Sequence, residues 1–561
     1  APPTVALTNV TATDAARLLT QATFGPKKSE IDALTGGSID AWITAQIAKP
    51  ATSHRTAIQY DRNTYGGSGS FTNWNATHPQ NRQSAWMKTA LTADDQLRQR
   101  VAFALSQILV VSDVALGDDN QAEPLAAYYD ILVNGAFGNF RTLLENVTLS
   151  PMMGLYLSSL RNAKADPATG QTPDENYARE VMQLFTIGLV MLQPDGTLQL
   201  GNDGLPVATY NQTTITEMAK VFTGWAYPST SLTAFRTAST NYYSAMQLFP
   251  SFHDDTVKNL SPVSATPIPA AQGGTKDLQL ALDALFTHQN TPPFISKLLI
   301  QRLVTSNPSP AYVYRVAKVF ENNGSGVRGD LGAVTRAILT DYEARSPSVS
   351  GNAAYGKLKE PLLRLMALLR TFNASSSSGR YLGYRVTVNG TPITGTTAKP
   401  ATAGEITTIY ASTRLDYLHT AIAEAPLRSP TVFNFYHPDY VLPGPLAAAG
   451  LVAPEFEITD DNFAIAVPNF LRAFVVAALP KTTADPYTLT LDTTYEQTLV
   501  NDPSALLDHL NRLLCAGTLP AAAKTRIITA LSAVPSTTTA EDKVKTAILL
   551  TLTSPASAIQ R

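Results

Sequence analysis

Asp94-Asp95-Gln96-Leu97-Arg98-Gln99-Arg100-Val101-Ala102-Phe103-Ala104-Leu105-Ser106-Gln107-Ile108-Leu109-Val110-Val111 decides the fold class. Leu97, Val101, Leu105, Ile108 and Leu109 recur at spacings that place them on one side of a helix turning about 100° per residue. The same period is read at Arg141–Leu149, Asn176–Leu189, Ile215–Phe222, Leu278–Thr287, Pro293–Val304, Lys359–Thr371, Asp461–Ala478, Ser504–Cys515, Ala521–Leu531 and Glu541–Leu550. Start and stop residues flank several of these runs. Asp14 precedes Ala15, Leu18, Leu19 and Ala22, and that run ends at Gly25-Pro26. Ser309-Pro310 opens a helix carrying Val313, Val316 and Phe320, and Asp330 opens the next with Leu331, Val334 and Ile338.

Two short extended pairs interrupt the helical pattern. Val190–Gln193 and Thr197–Leu200 flank Pro194-Asp195-Gly196, and Tyr384–Val388 and Thr391–Thr394 flank Asn389-Gly390. Asp-Gly and Asn-Gly between short apolar-alternating runs predict hairpins. The segments 53–82, 226–275 and 372–415 are rich in Ser, Thr, Gly, Asn and aromatics and read as long ordered loops, a length that favours a functional role. The expected architecture is mainly α. A large multi-helix domain over residues 1–484 carries two small β-hairpin insertions, and a helical subdomain over 485–561 packs on it.

Composition excludes several classes. The 561 residues carry a net charge of −2, only 15% charged side chains and one cysteine. A nucleic-acid protein would show a basic footprint, and a single cysteine excludes a disulfide framework. Cys515 lies in an apolar helical run and reads as an inert core thiol. No stretch approaches the ~18 consecutive apolar residues of a membrane-spanning helix. The Ala1-Pro2-Pro3 start and the abundance of Thr and Ser set the expectation of an exported bacterial protein, periplasmic or extracellular.

Three constellations concentrate the scarce ionisable residues. The first is Pro173-Asp174-Glu175-Asn176-Tyr177-Ala178-Arg179-Glu180. Tyr177 falls on the apolar face of its helix, while Glu175, Asn176, Arg179 and Glu180 form the opposite stripe. Glu175 and Arg179 are four apart with the acid first, the favourable order for an ion pair. The stripe reads either as a solvated, salt-bridged face or as an acid/base carboxylate with an arginine tuning it. The second is Phe252-His253-Asp254-Asp255-Thr256-Val257-Lys258, in a chain with only seven histidines. It reads as an Asp-rich turn, a metal contact or a proton-transfer pair. The third is Glu217, an acid that also fits a capping box begun by Thr214; Trp225 and Tyr227 follow, as core or as a stacking platform.

Standard signatures of nucleophilic, zinc, P-loop and dinucleotide sites are absent from the sequence, so no cofactor and no catalytic metal are expected. Asp118-Asp119-Asn120 offers oxygen ligands to a structural calcium ion but lacks EF-hand spacing.

Six segments in order carry a family resemblance. They are Ala16–Gly25 (ARLLTQATFG), Asn134–Arg141 (NGAFGNFR), Glu175–Glu180 (ENYARE), Phe222-Thr223-Gly224-Trp225, the His253-Asp254 to Lys258 loop, and Arg428–Phe435 (RSPTVFNF). Over about residues 12–475 the chain resembles the bacterial "domain of unknown function 1800" family. The resemblance implies export and, as partner, a second exported protein of sulfatase-like type. It supplies no reaction. Where the family carries a Trp-His-Asn-His-like stretch in its early long helix, this chain has Ala104-Leu105-Ser106-Gln107, so any histidine role is not carried over.

Two functional expectations follow. In the first, the protein is a hydrolase or lyase acting on a polymer such as a polysaccharide. Glu180 or Glu175 serves as acid/base, Arg179 as charge partner, and His253 with Asp254 as a second acid/base or orienting pair. Asn176, Tyr177, Trp225, Tyr227 and Lys258 contact substrate. Glu175 and Glu180 point about 140° apart on a helix, so a glycosidase pair needs another carboxylate, Asp254 or Glu217. In the second, the protein is a non-catalytic exported binding or scaffold protein that partners another surface or secreted protein.

Overall fold

The computed structural model describes residues 7–65, 79–116, 122–239, 241–375, 384–388, 391–392, 406–411, 418–477 and 489–561. Its elements are overwhelmingly helices, from Ala12–Ala22 to Pro555–Ala558. Local capping chemistry sets many of their starts. Thr11, not Asp14, caps the first helix: its hydroxyl oxygen accepts from the Asp14 N–H at 3.1 Å, and Asp14 sits in the first turn, its carboxylate accepting the Thr11 hydroxyl at 2.6 Å. Ser309 and Asp330 cap Pro310–Glu321 and Leu331–Thr340 as expected.

The Gln96–Ser106 helix is the centre of the molecule. Every residue on it except Arg98 is buried, so it is enclosed all round rather than resting one face on a core. This burial forces Gln99, Arg100 and the following Gln107 to find polar partners inside the protein. Around it one continuous core joins Leu18, Leu105, Tyr129, Leu299, Leu365 and Leu507. The C-terminal helices therefore share that core; Cys515 is buried in it, its thiol pushed up to about 11 by burial. The expected boundary at 484/485 lies outside the described residues. Among the described residues no helix is long and apolar enough to cross a membrane.

The extended pairs form as expected, with additions. Tyr384–Val388 pairs with Thr391–Pro392 in the register Thr387↔Pro392 and Val388↔Thr391, and a third strand, Ile406–Ala411, pairs on its other side. Near 190 the chain makes three short segments instead of two. The Gln199 N–H donates to Met191 O (2.8 Å), Val207 N–H to Gln199 O (3.1 Å) and Met191 N–H to Val207 O (2.7 Å), closing a ring. Two-residue sheets join Trp225–Ala226 to Gln247–Leu248 and Lys357–Leu358 to Ile559–Gln560.

Much of the expected loop at 53–82 is helical, as His54–Tyr65 and the start of Pro79–Thr92. The cause is a distant cap. Asp130 accepts from the His54 N–H (2.7 Å), the Arg55 N–H (3.1 Å) and the Ser53 hydroxyl (2.6 Å), so a carboxylate 76 residues away satisfies the helix N-terminus.

Candidate functional site

The Asn176–Gln183 helix starts right after Glu175, and its sequence pattern sorts its side chains as expected. Tyr177 is buried, donates its hydroxyl to Thr148 Oγ1 at 2.7 Å and meets Phe222 edge-on at 4.8 Å. Asn176 is exposed. Glu175 fastens two helices together: its carboxylate accepts from Arg179 (3.4 Å), from Gln212 Nε2 (2.8 Å) and from the Thr216 hydroxyl (2.7 Å). Glu180 is different. Only 6% of it is exposed, and its Oε2 has no hydrogen-bond partner. Burial pushes its carboxyl above the usual carboxylate range, and the Arg179 charge opposes that rise without cancelling it. Burial also pushes the phenols of Tyr156 and Tyr210 up to about 12, with the Glu180 charge adding to the rise. The Tyr210 hydroxyl likewise lacks a partner.

The His253 loop closes on itself in the interior. His253 Nε2 lies 3.0 Å from Asp277 Oδ2, and Nδ1 lies 2.9 Å from the Thr223 carbonyl oxygen. The Lys258 ammonium reaches the same Asp277 oxygen at 2.5 Å and donates to Thr256 O at 2.8 Å. Gln272 donates to the other Asp277 oxygen at 2.9 Å. Lys258 and Asp277 have no exposed surface. The fit depends on Gly274, where a Cβ would stand 2.8 Å from His253 Nδ1. Asp254 makes the Asp-rich turn, accepting from the Thr256 N–H (3.0 Å) and hydroxyl (2.6 Å). Burial opposes its ionisation, but the Thr256 bonds and the Lys258 and Lys220 charges hold its carboxyl below the usual range.

His253, Asp255 and Asp277 bring ligand atoms within 4.8 Å of one another, a grouping that could hold a metal ion. The Lys258 ammonium already supplies a cation to that carboxylate at ion-pair distance. Residues Asp118 to Asn120, the expected calcium contact, lie outside the described residues.

Trp225 and Tyr227, considered as a stacking platform, are each only 6% exposed. Tyr227 meets Tyr242 edge-on at 5.5 Å and the Arg161 guanidinium at 5.1 Å, so its ring is occupied by the protein itself. Glu217 pairs with Lys220 at 2.5 Å and accepts from the Asn259 N–H at 3.1 Å. The capping box begins three residues earlier than expected, with Asn211 and Thr214 as the reciprocal pair. The Gln212–Val221 helix thus links the two regions, since Glu175 docks on one end and His253 packs beside Thr223 just beyond the other. Glu180 itself makes no hydrogen bond or ion pair with His253 or Asp254.

A third ionic centre had no signal in the sequence. Gln107 donates to Glu360 Oε2 at 2.6 Å, and Lys357 bridges Glu360 (3.2 Å) and Glu455 (3.1 Å). Glu455 also accepts from the Ser306 hydroxyl at 3.0 Å. Arg302 stacks over Tyr436 at 4.4 Å, and Arg100 donates to the Arg302 carbonyl at 2.6 Å. Burial opposes ionisation of Glu360, but Lys357, Arg100 and Arg302 outweigh it and hold the carboxyl low. Burial pushes Glu424 well up, and the neighbouring Glu360 charge adds to this. Glu424 Oε2 accepts from the Leu362 N–H at 2.9 Å, and its Oε1 has no hydrogen-bond partner.

At the surface, a cavity of about 510 Å³ is lined by Lys27, Glu30, Trp42 and Asp94, with none of the candidate catalytic or substrate-binding residues. Elsewhere, Leu189 (55%), Leu198 (50%), Leu200 (57%) and Leu205 (63%) stand exposed on the three-segment ring at 189–209.

No curated protein and no solved structure matches this chain. The model of a family described as proteins of unknown function (DUF1800) matches residues 17–558, and the chain belongs to that family.

Proposed function

We propose that this protein is an exported, non-catalytic binding or scaffold protein that engages another surface or secreted protein through the leucine-bearing ring at 189–209. The observation that carries this reading is four leucines, each at least half exposed, on one small β element. Isolated exposed leucines are ordinary, whereas several on one element mark a surface that another protein covers. Leu198 and Leu200 are two apart on an extended segment and so share a side. The burial of His253, Lys258 and Asp277 in their own ion pairs supports the same reading, because it gives those residues a structural task. The family resemblance points to an exported sulfatase-like protein as the partner. Sedimentation of the purified pair tests this: a complex should form with wild type and fall apart with Leu198→Asp/Leu200→Asp. A complex equally stable with that variant would remove the ring from the interface.

One observation favours the alternative, an enzyme that cleaves a polymer such as a polysaccharide. Glu180 combines an unpartnered oxygen with a raised pKa, the properties of a general acid. A panel of polysaccharides and esters, run with wild type and Glu180→Gln, distinguishes the readings. Cleavage lost in Glu180→Gln favours the enzyme; cleavage retained removes Glu180 from any mechanism.

A further inference from the structure

The side chains of Lys27, Lys49 and Asp94 have no hydrogen-bond or ion-pair partner among the described residues, and all three line the 510 Å³ surface cavity. Their charged neighbours are paired. Arg370 reaches the two oxygens of Glu30 at 2.5 and 2.8 Å, and Lys28 meets Asp32 at 2.5 Å. Lys27 and Lys49 are part-exposed, so their ammonium groups are open to a ligand that enters the cavity. Lys27 is also held partly out of water without a counter-charge. Burial, and then the Arg370 charge, push its ammonium below the usual lysine range, and Glu30 and Asp94 oppose that fall without cancelling it.

Three stretches of chain build the walls. They are the Lys28–Leu34 helix with Lys27 before it, one side of the Ile39–Ile47 helix, and the corner between Pro79–Thr92 and Gln96–Ser106. Trp42 and Ala45 are three apart and Lys49 follows four residues later, so an indole, a small residue and an ammonium share one side. Trp42 differs from the other described tryptophans. Trp86 and Trp225 are 2% and 6% exposed, whereas Trp42 packs only part of its ring on the core and leaves the rest at the cavity.

These walls define the ligand by its chemistry. Arg370 and Glu30 cancel each other, which leaves the two cations Lys27 and Lys49 against the single anion Asp94, so the cavity favours a negative ligand. Its volume lies in the range of organic ligand sites, about 300–1,000 Å³, and is far more than a small inorganic ion needs. Lysine acts on a carboxylate as a point charge and asks for no fixed fork. The indole offers an apolar ring face, and the free Asp94 carboxylate accepts hydroxyl donors. A ligand that satisfies all three carries a carboxylate, a flat apolar face and several hydroxyls.

We propose that this cavity binds a carboxylate-bearing sugar, a uronic acid or a short chain of them. Lys27 and Lys49 pair with its carboxylates, Trp42 stacks on the C–H face of a sugar ring, and Asp94 accepts from its hydroxyls. The cavity shares no residue with the leucine-bearing ring or with Glu180, so its failure would leave both readings of those regions untouched.

The test is calorimetric titration of the full chain with digalacturonate. Galactobiose serves as the neutral counterpart, benzoate as a carboxylate without hydroxyls, and inorganic phosphate as a free anion. Digalacturonate should bind saturably, more weakly as salt is raised, and more tightly than any of the other three. Lys27→Met/Lys49→Met should weaken binding by about tenfold or more, with a thermal midpoint close to wild type because neither lysine has a partner to lose. Trp42→Leu should weaken digalacturonate and galactobiose alike, which a purely electrostatic site would not do. The proposal is overturned if digalacturonate does not bind, or if the double lysine variant binds it as well as wild type. Equal binding of galactobiose would overturn the acidic character of the ligand, and tighter binding of benzoate or phosphate would overturn the sugar assignment.

Discussion

Glu360 and Glu424 are both fully buried, and glutamine at each should have opposite consequences. Glu360 is the ionised member, facing Lys357 at 3.2 Å, with Arg100 and Arg302 close by. Glu360→Gln keeps the shape but removes the negative charge, leaving buried cations short of one counter-charge. Breaking a buried pair by removing one partner costs about 3–5 kcal/mol. Glu424 is the protonated member. Glu424→Gln replaces one neutral group by another that still accepts from the Leu362 N–H, so its cost should stay within about 1 kcal/mol. The expected gap between the variants is thus at least about 2 kcal/mol. The pH dependence follows from the two directions. Glu360, held below its usual 4.5, contributes stability that is present above that value and lost as pH falls below it. Glu424, held above 4.5, contributes stability that is present below that value and lost as pH rises through its folded pKa. Equilibrium urea unfolding of wild type and both variants, from pH 2 to pH 9, reads both effects. Glu424→Gln should flatten the decline on the alkaline side, and Glu360→Gln the decline on the acid side. Equal losses in the two variants, or a larger loss in Glu424→Gln, would refute the assignment of charges.

Lys258→Met should destabilise by about 3–5 kcal/mol because Asp277 loses its ammonium partner, and the double variant Lys258→Met/Asp277→Asn should recover at least half of that in calorimetry. Zinc titration offers a second view of the same place: Lys258→Ala should bind zinc through His253, Asp255 and Asp277 more tightly than wild type, where the ammonium competes. Gly274→Ala should lower the thermal midpoint by the equivalent of about 1–3 kcal/mol, since its methyl would press within 2.7 Å of Leu248 and 2.8 Å of the His253 ring.

Local physics was legible in the residues. The helical period at 96–106, the caps at Ser309 and Asp330, and the pairing of Tyr384–Val388 with Thr391–Pro392 are written in neighbouring positions, because capping and strand pairing across a short connection act over a few residues, whereas the expected Asn389-Gly390 turn itself lies outside the described residues. The i,i+4 pair of Glu175 with Arg179 was readable for the same reason. Where local and distant signals competed, the reading failed: His54–Tyr65 looks like loop because its cap, Asp130, is far along the chain.

The partners of buried charge were decided only by tertiary structure. His253 and Lys258 stood out as scarce ionisable residues, but Asp277, which both of them meet, lies 24 residues beyond His253 in an ordinary amphipathic helix. Gln107 and Glu360 are 253 positions apart, and neither belongs to a motif. Arg345 reads as one more arginine until its surroundings show three nitrogens without acceptors. Sequence alone determined that this chain would be a mainly helical protein with few charges to place. Folding decided which of those charges are neutralised inside, because desolvation and ion pairing depend on distance in space rather than along the chain.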